Sequence, residues 1–155
     1  MIPFDIFLSE DPIKQRNELL QMYRNIATQL NGTVKEFTPV MNNATIDAAS
    51  KGVYFRQGLT CDVWVDILWT AGTGGSIELV LPFKSKRVSG DLWITPVASD
   101  SLTLSAGYTY PVLGIAQDSN IATVYECGSG VAMQAVVEAT GSIKGLIRFI
   151  GQENA

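Results

Sequence analysis

The sequence predicts a mainly β protein: an antiparallel β-sandwich or jelly roll preceded by one N-terminal amphipathic α-helix. Three observations carry this. The hydrophobic period is near 3.6 residues before Gly32 and near 2 after it. From Leu59 to Trp69 every odd position is apolar. Beyond that run, turn residues recur at a spacing of roughly 8–12 residues, as in sandwiches and barrels. The reading divides the chain into a helical assembly or anchor segment, residues 1–32, and a β-sandwich domain, residues 33–155.

The helix has a start and a stop. Asp11 is a suitable N-cap, and Pro12 at the first helical position is pre-set for helix. Ile13 to Leu30 are mostly good helix formers, and Asn31-Gly32 supplies a left-handed terminus. Leu19, Tyr23, Ile26 and Leu30 lie on one face, widened by Leu20, Met22 and Ala27. Lys14, Gln15, Glu18, Gln21, Asn25 and Gln29 occupy the other side. Ile13, Leu20, Tyr23, Ala27 and Leu30 also fit a short heptad-like seam, interrupted by Arg16. One amphipathic helix cannot bury its stripe alone. It must pack on the β domain, on copies of itself or on another protein.

Cys61, Val63, Val65, Ile67 and Trp69 form the inward phase of a long strand. Ala71-Gly-Thr-Gly-Gly75 reads as a turn, and Ile77, Leu79 and Leu81 as the returning arm of a hairpin closed by Pro82. Further strands are expected at 90–95, 102–104, 108–115, 122–127, 131–138 and 142–150. The stretch 42–50 reads as a linker or a strand-free crossing between helix and sandwich. Trp64 and Leu68 fall in the outward phase of the long strand, whose other face is already hydrophobic. If both faces are buried, the helix or a second subunit covers the outer one. Leu19, Tyr23, Ile26, Leu30, Trp64 and Leu68 are therefore the candidate assembly residues.

Composition narrows the function. The 155 residues include no histidine, which excludes His-based triads and His-ligated zinc within one chain. A net charge of -4 argues against a nucleic-acid surface. No apolar run is long enough to span a membrane. The start of the chain lacks the basic region of a signal peptide, so synthesis in a cytoplasm is expected. Cys61 and Cys127 do not make a disulfide framework and read as buried reduced thiols.

The candidate chemistry is sparse. Asp62 and Asp66 share the outward strand face but flank Trp64 rather than face each other. With Glu78 they are the groups a carboxylate-dependent glycan hydrolase would use. Asp118-Ser119-Asn120 lacks the pattern of a calcium loop and reads as a turn. The Gly-rich stretch at 71–75 precedes no helix, so it is no phosphate cradle. Lys84, Lys86 and Arg87 form a basic cluster too small for nucleic acid. Trp93, Tyr108 and Tyr110 are candidate receptor contacts, because aromatic rings with a polar edge form sugar platforms.

The stretch Lys51-Gly-Val-Tyr-Phe-Arg-Gln-Gly58, the strand after it, Leu81-Pro82-Phe83 and the final Thr140–Phe149 run together resemble a module of bacteriophage tail-fibre and other virion appendage proteins. Gly52, Tyr54, Gly58 and Leu81-Pro82-Phe83 match its pattern; Val80 stands where the module has Gly. The resemblance covers roughly residues 38–150. It implies a trimeric β-sandwich on a phage particle, serving as a receptor-binding head, fibre tip or decoration protein. It implies no catalytic residue, metal or cofactor. The implied partners are the chain itself as a homotrimer, other virion proteins and a host surface glycan or protein. No nucleic acid or membrane insertion is implied. A trimeric jelly-roll lectin outside any virion is the second reading.

Overall fold

The structure is a computed structural model describing residues 11–86 and 92–152, without the side chains of 27–31 and 33. The described residues form one helix and two antiparallel sheets. Helix α1 spans Pro12–Asn31. Asp11 Oδ1 accepts from the Ile13 N–H at 2.9 Å, which is the N-cap bond expected from the sequence. Gly32 ends the helix with a φ of 65°, open to glycine at little cost.

The first sheet has the order β1-β4-β5-β11, built from β1 (Thr33–Phe37), β4 (Lys51–Gln57), β5 (Thr60–Thr70) and β11 (Gly141–Ile150). The short β3 (Thr45–Ile46) pairs with the end of β5 beyond β4. The second sheet runs β2-β6-β9-β8-β7, from β2 (Val40–Asn42), β6 (Glu78–Val80), β9 (Ile121–Cys127), β8 (Tyr110–Ala116) and β7 (Leu92–Pro96). In it β10 (Gln134–Ala135) also pairs with β9.

One core joins the sheets. Cys61, Val63, Val65, Ile67 and Trp69 of β5 are fully buried. They pack in a single cluster with Ile143, Ile147 and Phe149 of β11 and with Leu79, Leu113, Ile115, Ala122 and Val124 of the second sheet. Trp69 anchors one end. Its indole N–H donates to the Glu138 carbonyl at 3.2 Å. A Cβ on Gly141, its cross-strand neighbour, would lie 2.4 Å from the ring.

Four expectations are corrected. The runs at 59–70 and 77–81 do not form a hairpin. Both edges of β5 are taken by β4 and β11, whereas β6 pairs with β2 and β9. The 71–75 segment crosses between sheets, held by the Gly72 N–H to the Ala139 carbonyl (2.8 Å) and the Thr73 N–H to the Asn43 carbonyl (2.9 Å). The partner of β5 is instead β4, through the two-residue turn Gly58-Leu59, with Gly58 at a φ of 58°. Residues 102–104 are no strand. The Leu102 N–H goes to Ser99 Oγ, and the Asp100 and Ser101 N–H groups go to Ser142 Oγ, so serine hydroxyls replace a ladder. Of 131–138 only β10 is strand. Residues 42–50 are not a strand-free crossing between helix and sandwich: β1 and β2 precede them, and they run from the second sheet to the first carrying β3. The first two residues of the strand expected at 90–95 lie outside the described residues.

The matched motif is packing. A Cβ on Gly52 would meet the Phe37 ring at 2.4 Å. Tyr54 packs edge-on against Phe83 at 4.8 Å, and the Arg56 guanidinium lies 4.7 Å over the same ring. Arg56 also donates to the Gln152 carbonyl at 2.6 Å, tying the end of β11 to β4.

Trp69→Ala removes the largest buried side chain and leaves a cavity. The substitution should cost about 3–5 kcal/mol, read as a lowered denaturant midpoint with an unchanged slope.

Candidate functional site

No concave site with convergent polar groups dominates the described surface. What stands out is apolar surface outside the core. Among the described residues, helix α1 contacts the sandwich chiefly through β4 and leaves its apolar stripe uncovered. Ile13, Leu19, Leu20, Tyr23 and Ile26 are all exposed, Tyr23 at 72%. Leu19, Leu20 and Tyr23 line an open groove with Gln15 and Arg16. Leu30 belongs to α1, but its side chain lies outside the described residues. A 20-residue helix without tertiary cover is marginal in water, because helices draw most of their stability from packing an apolar face.

The second surface is the outer face of the first sheet. Pairing sets Val53, Trp64 and Leu146 side by side across β4, β5 and β11. Trp64 is 39% exposed and Leu146 48%. Phe55 and Val34 continue the apolar area towards the helix, and Leu68 extends it along β5. Charged pairs flank the row. Arg148 donates from both Nε and Nη2 to the Asp62 carboxylate at 2.6 and 2.7 Å. Those bonds hold the Asp62 carboxyl below its ordinary range. Lys144 Nζ lies 3.3 Å from Asp66. A cleft of about 480 Å³ opens beside Trp64, lined by Glu36, Thr38, Ser50, Lys51 and Val53.

Of the six candidate assembly residues, the five whose side chains are described fall on two surfaces: Leu19, Tyr23 and Ile26 on the α1 stripe, Trp64 and Leu68 on this sheet face. The three receptor candidates do not form one patch. Trp93 is half-buried against the core, opposite Ile115. Tyr110 is five residues further along β8, about 17 Å. The Tyr108 hydroxyl donates to the Ala132 carbonyl at 2.9 Å and pins a loop. Tyr110, at 49%, is the exposed ring of the three.

The carboxylates considered for hydrolysis are engaged: Asp62 and Asp66 in the ion pairs above, and Glu78 as acceptor from Asn42 Nδ2 at 3.1 Å. Asp118 has a φ of 57° and accepts from Gln152 Nε2 at 3.0 Å, as a turn residue does. Among the described residues no cluster of acidic, Cys or His side chains forms a metal site. Both thiols are free, Cys61 buried and Cys127 half-buried, and burial pushes both up from the ordinary thiol range. Lys84 and Lys86 are exposed, and Arg87 lies outside the described residues.

One residue escaped sequence reasoning. Glu126 follows Ala122 and Val124 in the inward phase of β9 and is 3% exposed. Its carboxylate accepts from the Ser105 N–H at 2.8 Å and from Gln134 Nε2, joining the loop before Tyr108 to β10. Burial pushes this carboxyl up, but the hydrogen bonds from Ser105 and Gln134 outweigh it and the net shift is down. An acid in an inward strand phase was the available signal.

No family model matches the chain, and no curated protein matches it. Among solved structures it is similar to the Dettilon tailspike protein (gp208), with a TM-score of 0.59 at 20% identity. The likeness covers 77% of this chain and 24% of the tailspike, so the chain spans about a quarter of that protein's length. At this identity the likeness establishes a shared fold.

Because the native Glu126 carboxyl lies below its unfolded value, its stabilisation is complete above about pH 4.3 and lost as pH falls through the native pKa. Glu126→Gln sets an amide N–H against a donor and should cost about 1–3 kcal/mol at pH 7. Melting curves should show the gap between the two proteins narrowing below about pH 4.

Proposed function

We propose that the chain is a non-enzymatic structural protein of a bacteriophage particle. It is a homotrimeric tail-fibre, baseplate or head appendage, assembled through its N-terminal helix and able to present its far end to a host receptor. The observation that carries this reading is the fold shared with a stretch of a phage tailspike over 77% of the chain.

The local geometry supports it. An uncovered apolar stripe on a helix that stands clear of its own sandwich fits a seam between copies. The helix joins the sandwich where β1 begins, opposite Arg56. Ala116 lies at that end too: its carbonyl accepts from Ser85, which bridges to Gly151 beside the end of β11. Tyr110, at the other end of β8, therefore points away from the helix junction. The ion-paired state of Asp62 and Asp66 supports binding rather than bond chemistry.

Light scattering after size exclusion should give about 50 kDa, three times the 16.8 kDa chain. Leu19→Glu with Ile26→Glu should return it to monomer mass with the β signal intact. Mass spectrometry of particles from the phage that encodes the chain should detect the protein. A wild-type monomer overturns the trimer, and absence from particles overturns the virion reading. Tyr110→Ala should lower binding of the purified protein to host cells several-fold.

A further inference from the structure

We infer that the outer face of the first sheet is a second self-association surface, on which the Val53–Trp64–Leu146 row is buried by a second copy of this chain. The inference rests on the assembly reading above and extends it from the helix to the sandwich.

Two observations choose this occupant. The first is continuity. Gly32, at the end of α1, packs so tightly on the Phe55 ring that a Cβ would lie 2.7 Å from it. Phe55 stands opposite Asp62 and so belongs to the outer face. The helix therefore leaves the sandwich from the same face as the apolar row. Copies gathered along α1 bring these faces towards one another.

The second observation is charge. The chain carries a net charge of -4, which repels copies in general. This face is an exception. Asp62 is paired with Arg148 and Asp66 with Lys144, and Glu36 and Lys51 line the same cleft with opposite signs. Around the Val53–Trp64–Leu146 row these three acids and three bases balance, and the further acids Asp47 and Asp100 lie beyond it beside Leu68 and Ser142, so identical rows can approach without net repulsion. The apolar centre with a charged margin is the anatomy of an interface core and rim. Exposed ion pairs add little stability of their own, so the row would carry the association.

The test uses the full chain, with hydroxyl-radical footprinting read by mass spectrometry alongside sedimentation. Labelling of Trp64 and Leu146 should fall several-fold in the wild-type oligomer relative to the Leu19→Glu/Ile26→Glu monomer. Leu146→Lys should raise the oligomer's dissociation constant about tenfold or more without lowering the monomer's melting temperature. An oligomer in which Trp64 and Leu146 label as fast as in the monomer overturns the inference and leaves the helical assembly standing. A helix variant that still associates, with Trp64 protected, supports the sheet face and overturns the helical seam. Protection of Trp64 that appears only when a glycan is added overturns the inference in favour of a sugar site in the adjoining cleft.

Discussion

The constraint on which the rest depends is the complete burial of one side of β5 while both of its edges are occupied. Five alternate side chains, Cys61 to Trp69, have no solvent contact. A strand of that length, paired on either side by β4 and β11, fixes the first sheet before any loop is considered. Register follows, because a slip of one residue would turn those five side chains to solvent and bring Asp62 and Asp66 into the core. The second sheet then has one task, to supply a matching apolar face. It does so with Leu79, Leu113, Ile115, Ala122 and Val124.

Because β5 fills its inner face with apolar groups, the outer face is free to carry something else. It carries Trp64 between Asp62 and Asp66 with Leu68 beyond, and β11 answers with Leu146 between Lys144 and Arg148. The charges pair across β5 and β11, and Trp64 aligns with Leu146 and Val53. Such cross-strand matching contributes modestly to the sheet, about 0.2–1 kcal/mol per pair. Its larger effect is to leave an electrically quiet apolar row on the surface.

Local signals explain which parts of this were legible in the sequence. The helix was readable because its cap, its Pro12 start and its Gly32 stop are chemical features of single residues. The inward phase of β5 was readable because period 2 is dictated by strand geometry. Pairing was not. Alternation specifies a face, and it reads the same whether two strands neighbour each other in one sheet or oppose each other across a core, as β5 and β6 do. β1 was missed because Thr-Val-Lys-Glu-Phe is a polar edge strand with little apolar contrast. Residues 102–104 misled because Leu102 does pack on the core, yet its backbone is satisfied by serine hydroxyls. For the candidate surfaces, the outward Trp64 and Leu68 could be read from phase alone. Leu146 and the ion pairs needed the register of β11 against β5.

Gly32 links these surfaces. It takes a left-handed φ, and the Phe55 ring and the Arg56 carbonyl leave no room for a side chain. The direction in which α1 leaves is thus tied by direct contact to a residue of the outer face. The exposed apolar residues lie in two places, a helix stripe and a sheet row, and Gly32 stands between them in sequence and against Phe55 in space. A surface built this way is specified in two parts by residues far apart in sequence. Both parts are the surfaces that the proposed self-association would use.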